Sequence, residues 1–489
     1  MTKCSDFDDI FNSKSVAIIG ASNSPLGGGG IFLNAMKDMD TIKIFPVNPK
    51  VEEISGLKCY PSVNDIPVPV DYAVIAVSAK RVPGVIEECI KKGIKGVQIF
   101  SSGFKEIGED GAALEDEIRR VAKDKIKVIG PNCMGLYYPN SGLSFFPGSP
   151  TESGVVSFVS QSGRFATFII MMGGQVGIKF NKIISFGNAA VLESTDFLEY
   201  LGDDPETKVI AAYIEGVKDG KRFFDVVKKI SKKKPTIIWR GGRTDQGGRA
   251  AASHTGSLAG SSAIWEALYK QTGAIEVKSM EELLDTITAF INLPSSTGRR
   301  VSILTGGGGE TVSSADACAE ENLVVPPFTQ KTKSRVAQIL NTPGTIHGNP
   351  IDYSGMGFSP GILKRVIRAA ASDENIDALV VLQFLGPGLL ESMISPTIIQ
   401  QFLPGVSGTD DGESMDKVID MFLRSSVSDL IKTKKSIGKP LIAISPFGAE
   451  EAENISKLQE AGVPVYPTFE RALRALSNFV DYYEFLDKA

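Results

Sequence analysis

The sequence predicts an α/β protein built from three doubly wound domains. Short apolar strands alternate with helical stretches along the chain, and that alternation builds parallel sheets covered on both faces. A length of 489 residues exceeds one ordinary core and suggests about three domains. Three times a strand runs into a glycine- or serine-rich turn and then a helix, so each domain opens in the same way. The boundaries expected from composition are 1–140, 151–293 and 298–489. A Pro/Gly/Ser-rich stretch over 139–154 separates the first pair, and Pro294-Ser-Ser-Thr-Gly298 separates the second.

The first region opens with a strand over 15–20, a glycine-rich loop ending at Gly30, and a helix over 31–39. Further strands are expected at 42–47, 72–77, 96–100 and 126–129, with helices over 83–92 and 111–123 between them. Glycines after a first strand suit phosphate binding at a helix N-terminus. The spacing is not GxGxxG, so this signal alone is weak. The second strand ends in Pro46-Val47-Asn48-Pro49-Lys50, where a nicotinamide enzyme would place an acid for the ribose hydroxyls. Lys50 could instead pair with a phosphorylated ribose, as in coenzyme A or NADP; the commoner alternative is a solvated surface lysine. Gly130-Pro131-Asn132-Cys133-Met134-Gly135 follows the fifth strand, at the sheet edge where ligands of open α/β folds bind. No base lies near Cys133 in sequence, so a structural or ligand-contacting thiol is expected rather than a nucleophile.

The second region begins with a strand over 154–160, then Gln161-Ser162-Gly163-Arg164 and a helix over 165–172. Such a turn aims backbone N–H groups and the positive helix end at one point, where an anion would sit. An ordinary serine N-cap explains the same residues more blandly. The GxSxG frame of a serine hydrolase is absent. Strands over 182–186, 209–214 and 236–239 follow. Glu215-Gly216 ends the second of these. The third runs into Gly241 to Gly260, a loop rich in Gly, Ala and Ser that holds His254, one of only two histidines. A packing-poor loop presenting one imidazole suits a carrier of a group between sites; the alternative is a surface loop with an incidental His. Because Glu215, the Ser162 turn and His254 all lie past strand ends, one sheet edge could collect them. A carboxylate accepting from one imidazole nitrogen leaves the other nucleophilic.

A helix over 262–272, a strand over 275–277 and a helix capped by Ser279 close this region, with Glu282 at the capping-box offset. The third region opens with a strand over 300–305, then Gly306-Gly307-Gly308-Gly309-Glu310, with later strands at 378–384 and 441–445. Ser279 and Thr468, Glu281 and Glu470, and Phe290 and Phe479 fall at equal offsets, which suggests that the second and third regions share an architecture. Residues 404–414 read as a polar surface insertion. His347, before Asn349-Pro350-Ile351-Asp352, reads as structural or ligand-adjacent.

Composition narrows the function classes. Hydrophobic content of 42% and charged content of 22% are those of a soluble globular protein. A net charge of −5 with no basic run argues against a nucleic-acid surface. Five scattered cysteines form no CxxC pair, so neither a zinc cage nor a disulfide framework is suggested, and no metal site is expected. The polar, acidic start and the lack of a membrane-length apolar run make the cytoplasm the expected compartment, with no membrane partner.

Taken together, Gly130-Pro-Asn-Cys-Met-Gly135, Ser160-Gln-Ser-Gly163, Glu215-Gly216, Ser253-His254-Thr255-Gly256 and Asn349-Pro350-Ile351-Asp352 resemble the α subunit of ADP-forming acetyl-CoA (acyl-CoA) synthetases, relatives of succinyl-CoA synthetase. The match covers essentially the whole chain. The resemblance implies a Rossmann-like CoA-binding domain followed by two flavodoxin-like domains. It implies conversion of acyl-CoA, ADP and phosphate to a small carboxylic acid, ATP and CoA, by way of an acyl phosphate and a phosphohistidine at His254 supported by Glu215. Phosphate is expected at Ser160, Gln161, Ser162 and Gly163, with Gly308 and Gly309 as the second helix end; Gly386 to Gly388 is the alternative turn. Coenzyme A is expected against Gly20, Ala21 and Ser22, Asn48 and Lys50, Val77 and Ser78, Ser101, and Asn132 and Cys133. No ATP-grasp domain or Walker A sequence is found, so ADP/ATP with Mg is expected on a β subunit, in an α2β2 heterotetramer. Two alternatives stay open: a non-catalytic CoA-binding regulatory protein, and an NADP-dependent oxidoreductase.

Overall fold

The computed structural model describes residues 5–25, 27–255, 261–295, 298–354, 361–383, 385, 412–446 and 452–488. These form two compact units, one of residues 1–174 with 178–283, the other of 175–177 with 284–489. Among the described residues, the first unit holds a five-stranded sheet, a six-stranded sheet and a two-stranded hairpin, and the second holds a five-stranded sheet.

A short helix α1 (Ser5–Phe11) precedes the first sheet, whose strand and helix order is β1 (Ser15–Ile19), α2 (Gly30–Met36), β2 (Lys43–Val47), a small hairpin of β3 (Glu53–Ile54) and β4 (Leu57–Lys58), β5 (Tyr72–Ile75), α3 (Val82–Lys92), β6 (Gly96–Ile99), α4 (Glu109–Ala122) and β7 (Lys127–Ile129). The strands run parallel in the order β2-β1-β5-β6-β7. Every residue of β1, β5 and β6 is buried, because helices cover both faces. Each fully buried Val or Ile of these strands contributes about 1.5–3 kcal/mol of transfer free energy. All five strand ends face the same edge, which is the edge expected to take the ligand.

The second sheet begins earlier than composition suggests. Gly135–Tyr137, expected inside the first domain, forms β8 and pairs antiparallel with β10 of the second sheet. The remaining elements are β9 (Val156–Ser160), α5 (Gly163–Gln175), β10 (Phe180–Ser185), α6 (Ser194–Asp203), β11 (Val209–Ile214), α7 (Gly220–Ser231), β12 (Thr236–Arg240), α8 (Asp245–Thr255), α9 (Ser262–Thr272), β13 (Ile275–Val277) and α10 (Met280–Asn292). The order is β13-β12-β11-β9-β10-β8. A buried ionic knot holds its far edge. Lys182, 2% exposed, reaches Asp204 Oδ2 at 2.9 Å and Glu206 Oε2 at 2.8 Å, and its ammonium lies 4.5 Å from the centre of the Tyr138 ring. Tyr138 also donates its hydroxyl to Glu206 Oε2 at 2.7 Å. The helix α1 packs on the same side: Phe11 stacks on Tyr200 at 5.4 Å, and Tyr200 donates to Asp8 Oδ1 at 2.9 Å.

The second unit contains β14 (Val301–Thr305), α11 (Gly308–Glu320), α12 (Gln330–Ile339), β15 (Ile351–Asp352), α13 (Ile362–Ala371), β16 (Ala378–Leu382), α14 (Gly412–Ile437), β17 (Leu441–Ile444), α15 (Ala452–Glu460), β18 (Val465–Tyr466) and α16 (Phe469–Lys488). Its five strands are parallel in the order β15-β14-β16-β17-β18. Asn349 fastens β15 to β14: its Oδ1 accepts from Ile303 N–H at 3.2 Å and its Nδ2 donates to Val301 O at 2.9 Å. His347 Nε2 lies 2.7 Å from Leu340 O and 3.0 Å from Thr345 Oγ1, which locks a local turn, as its structural reading expects. The equal offsets noted in sequence reappear as equal caps. Ser279 Oγ accepts from Glu282 N–H at 3.1 Å, and Thr468 Oγ1 accepts from Arg471 N–H at 3.3 Å. The helices they begin meet through Phe290 and Phe479 at 5.0 Å and through a bidentate Arg471–Asp285 pair, both bonds 2.7 Å.

The expected insertion over 404–414 is only partly visible. Residues 404–411 lie outside the described residues, and Gly412 begins α14. Among the described residues, no helix is long and apolar enough to cross a membrane.

Candidate active site

Sheet register sets the site. In the parallel neighbours β9, β11 and β12, Tyr213 pairs with both Ser160 and Trp239. Side chains alternate along a strand, so residues two further on share the same face. The next level therefore sets Glu215 beside Gly241, whose N–H donates to Ile214 O at 2.9 Å, and Gln161, just past β9, hydrogen-bonds to both Tyr213 and Glu215.

The Ser162 turn is built to cap α5. Ser160 donates its hydroxyl to Ser162 O at 2.7 Å, which closes the turn. Ser162 Oγ accepts from Phe165 N–H at 3.3 Å. By their position, the N–H groups of Gly163 and Arg164 have no acceptor within the helix. Together with the helix dipole they favour an anion here. Space at Gly163 is tight, since an added Cβ would lie 3.0 Å from Met134 Cγ. The Asn132-Cys133-Met134 turn of the first sheet thus ends beside the capped helix, and Met134 N–H donates to Ser185 Oγ at 3.0 Å.

Glu215 is 9% exposed and is held at both ends. Its N–H donates to Gln161 Oε1 at 2.9 Å, and the N–H of Gly216 donates to the same oxygen at 3.3 Å. Gln161 is therefore a clamp on Glu215. On the carboxylate, Oε1 accepts the Tyr213 hydroxyl at 3.1 Å. The other oxygen, Oε2, is buried and has no hydrogen-bond partner among the described residues. A buried carboxylate oxygen left without a donor costs about 1–3 kcal/mol. Burial, together with the Glu215 charge, pushes the Tyr213 hydroxyl's ionisation above its ordinary range, so it stays a donor.

An aromatic triad supports this corner. Phe165, Tyr213 and Trp239 meet pairwise with ring centres 4.6–4.7 Å apart. Gly241 leaves the room that Glu215 and Tyr213 fill. An added Cβ there would lie 2.7 Å from Tyr213 Oη and 3.0 Å from Glu215 Cγ. Tyr213, Gly241 and Met134 were not picked out from sequence; the i, i+2 relation of Tyr213 to Glu215 is the signal that could have found the first.

The histidine segment is not an irregular loop throughout. Residues Asp245–Thr255 form α8. Thr244 caps it, its Oγ1 accepting from Gly247 N–H at 3.1 Å, and Asp245 suits the positive helix end. Ala250, Ala251 and Ala252 favour helix, whereas Gly247 and Gly248 each cost about 1 kcal/mol relative to Ala. The helix is thus a weak one. His254 lies in its last turn; its side chain, and residues 256–260, lie outside what is described. The helix lies against the 3-10 turn Lys105–Ile107 that follows β6.

The first sheet brings the expected CoA contacts to one edge in two groups. Gly20 N–H donates to Val47 O at 2.9 Å, and Asn48 Nδ2 donates to Ala21 O at 2.8 Å. Gly20 adopts φ +90, and an added Cβ there would meet Ala76 O at 2.3 Å. Ser22 Oγ donates to Gly27 O at 3.3 Å, and Lys50 is exposed beside Asn48, to whose Oδ1 its own N–H donates at 3.0 Å. On the other side, Ser101 donates its hydroxyl to Val77 O, and Asn132 N–H donates to Ser101 O at 3.0 Å. Ser78 follows Val77 at the start of a short turn into α3. Cys133 is 3% exposed and points its thiol at Ile99 O, 3.4 Å away. Burial pushes that thiol up to about 12, which fits the structural reading of Cys133 and not a nucleophile.

In the second unit, Gly308 and Gly309 open α11 after an extended Gly307, and Gly306 N–H donates to Glu310 Oε2 at 3.2 Å. The alternative turn at Gly386 to Gly388 lies outside the described residues. Among the described residues, no group of His, Cys, Asp and Glu is placed to hold a metal ion.

Residues 14–139 match the CoA binding domain family, and residues 153–290 match the succinyl-CoA ligase like flavodoxin domain family. The chain is 36% identical over 462 residues to the acetate–CoA ligase (ADP-forming) II subunit alpha of Pyrococcus furiosus, covering 94% of each. The chain belongs to the family of ADP-forming acetate–CoA ligase alpha subunits. A second alpha subunit of this family from Pyrococcus furiosus, that of acetate–CoA ligase (ADP-forming) I, is 37% identical over 481 residues, 96% of each chain. The fold is also that of the dinucleotide forming acetyl-coenzyme A synthetase 1 of Ca. Korarchaeum cryptofilum, solved in complex with phosphate and ADP. That structure gives a TM-score of 0.81 at 33% identity, covering 99% of this chain and 98% of the other. The alpha-subunit family accounts for a CoA-binding sheet followed by the flavodoxin-like sheet that carries Glu215 and His254.

Proposed function

We propose that this chain is the catalytic alpha subunit of an ADP-forming acyl-CoA ligase that carries phosphoryl groups on His254. The observation that supports it most is the buried Oε2 of Glu215, which has no partner among the described residues, on a residue bonded to Gln161 of the Ser162 turn and one strand from the chain leading to His254. A merely structural carboxylate would not be kept at that cost; one awaiting an imidazole N–H would.

The chemistry follows from the residues. Phosphate binds at Ser160-Gln161-Ser162-Gly163, against the N–H groups of α5. CoA lies along the edge formed by Gly20, Ala21, Ser22, Asn48, Lys50, Val77, Ser78, Ser101, Asn132 and Cys133. A phosphate oxygen attacks the thioester carbonyl, the C–S bond breaks, and CoA leaves as thiolate, giving an acyl phosphate. One His254 nitrogen then attacks phosphorus, the bond to the acyl oxygen breaks, and the carboxylic acid leaves as its anion. The other imidazole nitrogen donates its N–H to Glu215 Oε2, which stabilises the developing imidazolium. The phosphoryl group then passes to the terminal phosphate of ADP. That nucleotide, with its magnesium ion, is held by a separate ATP-grasp beta subunit in an α2β2 assembly, and no residue of this chain is assigned to it. A phosphoryl group in the last turn of α8 meets the negative helix end, which disfavours that helical turn. A weak, glycine-bearing helix suits such a carrier. The compartment proposed is the cytoplasm.

A regulatory CoA-binding role would leave the buried Glu215 oxygen without a use. An NADP oxidoreductase would leave both it and His254 without one.

The test combines acyl-CoA, labelled phosphate and ADP. The chain alone is expected to form an acid-labile, base-stable phosphoenzyme but no ATP, and ATP is expected once the beta subunit is added. His254→Asn is expected to abolish both. Absence of label from the unmodified chain with its partner present would overturn the reading. Gly241→Ala offers a milder probe: crowding Glu215 and Tyr213 is expected to slow phosphoenzyme formation about 10-fold, a cost of about 1.4 kcal/mol in the barrier, with the melting temperature nearly unchanged. An unchanged rate would show that Glu215 moves aside without consequence.

A further inference from the structure

Glu215 has two carboxylate oxygens in unequal surroundings, and Tyr213 is the reason. We propose that Tyr213 is a positioning residue for the phosphoryl transfer: its hydroxyl engages Oε1 of Glu215 and leaves Oε2 as the acceptor for the imidazole. The inference rests on the proposed role of His254.

Three observations carry it. The hydroxyl lies 3.1 Å from Oε1, and Oε2 has no partner among the described residues. The Tyr213 ring packs against both Phe165 and Trp239, with ring centres 4.7 Å from each, which restrains where its hydroxyl lies. Gln161 holds the backbone at both positions: its N–H donates to Tyr213 O at 3.0 Å, and its Oε1 accepts from Glu215 N–H at 2.9 Å. Tyrosine and glutamate are therefore presented as one rigid pair by a residue of the phosphate turn. Gly241 supplies the clearance that both side chains need. A phenylalanine would keep every ring contact and lose only the donor. The carboxylate could then turn about its last torsion, and its buried charge would lose a hydrogen bond worth roughly a factor of ten or more.

A packing role for Tyr213 makes different expectations, so Tyr213→Phe decides between them. The rate of phosphoenzyme formation, KM for acyl-CoA and the melting temperature are measured for the unmodified chain, Tyr213→Phe, Glu215→Gln and the double variant, with the beta subunit present. Tyr213→Phe is expected to slow phosphoenzyme formation about 10-fold or more, with KM and melting temperature unchanged. In the Glu215→Gln background it is expected to have no further effect, because the tyrosine acts through the carboxylate. An unchanged rate, or the same loss in both backgrounds, would overturn the proposal while His254-dependent labelling of the unmodified chain keeps the functional reading intact. No labelling of the unmodified chain at all would overturn both.

Discussion

Glu215→Gln is expected to slow phosphoryl transfer to His254 by about 10²–10⁴-fold, the upper end matching the loss of about 10⁴ when a carboxylate that orients a catalytic imidazole becomes an amide. The amide keeps the volume and can still accept the Tyr213 hydroxyl, so Gln161, the aromatic triad and Gly241 lose nothing. What changes is the group facing the imidazole. A neutral amide gives less support to the charge that grows on the ring as phosphorus is attacked. If the NH₂ faces the ring, it also favours the wrong tautomer. The rate of label uptake in a single turnover measures the effect. KM for acyl-CoA is expected to stay within a few-fold, since the proposed CoA contacts lie on the other sheet. A rate close to that of the unmodified chain would mean that Glu215 has no part in the transfer.

Lys182→Ala carries the largest expected effect on stability. The ammonium is the cation between Asp204 and Glu206, and the Asp204 side chain is 6% exposed. Removing one partner of a buried pair leaves the other charge without compensation, at a cost of about 3–5 kcal/mol. The loss is read as a lower denaturant midpoint for the transition that reports the first unit. Lys182→Met, with the acids replaced by their amides, is expected to recover much of it, because a well-packed apolar replacement for a buried pair is often near neutral. The pH dependence has a defined sign. The Lys182 hydrogen bond holds the Glu206 carboxyl below the usual carboxylate range. Its contribution is therefore complete above the ordinary carboxylate value and is lost as the pH falls through the depressed one. The gap between the unmodified protein and Lys182→Ala should narrow in acid.

The architecture was legible in sequence wherever strands are buried on both faces. Runs such as Val16-Ala-Ile-Ile19 and Ile210-Ala-Ala-Tyr-Ile214 have no polar alternation to confuse them. The Ser162 turn and Glu215 were legible because strand ends mark ligand edges in such sheets. The partners of Glu215 were not. Tyr213 reads as one more apolar strand residue until register puts it under Glu215 and beside Trp239. Gly241 reads as loop filler until the neighbouring side chains show what it makes room for. The helix α8 was hidden because Gly247 and Gly248 outweigh three alanines in a composition count, whereas the Thr244 cap decides locally. Gly135–Tyr137 reads as part of the first domain because it follows that domain's last motif directly, and its pairing with β10 becomes visible only in the sheet. The short helix α1 fell below any helical periodicity, and Phe7 and Phe11 hold it in place through contacts distant in sequence.

The most direct measurement locates the phosphoryl group. The chain and its beta subunit are incubated briefly with acyl-CoA and phosphate, digested at neutral to alkaline pH, and the phosphorylated peptide is sequenced by mass spectrometry. Phosphate on His254, present in the unmodified chain and Tyr213→Phe at different rates and absent from His254→Asn, is the expected result. Phosphate on His347, on Ser162, or on no residue of this chain while ATP is still formed, would contradict the role given to His254.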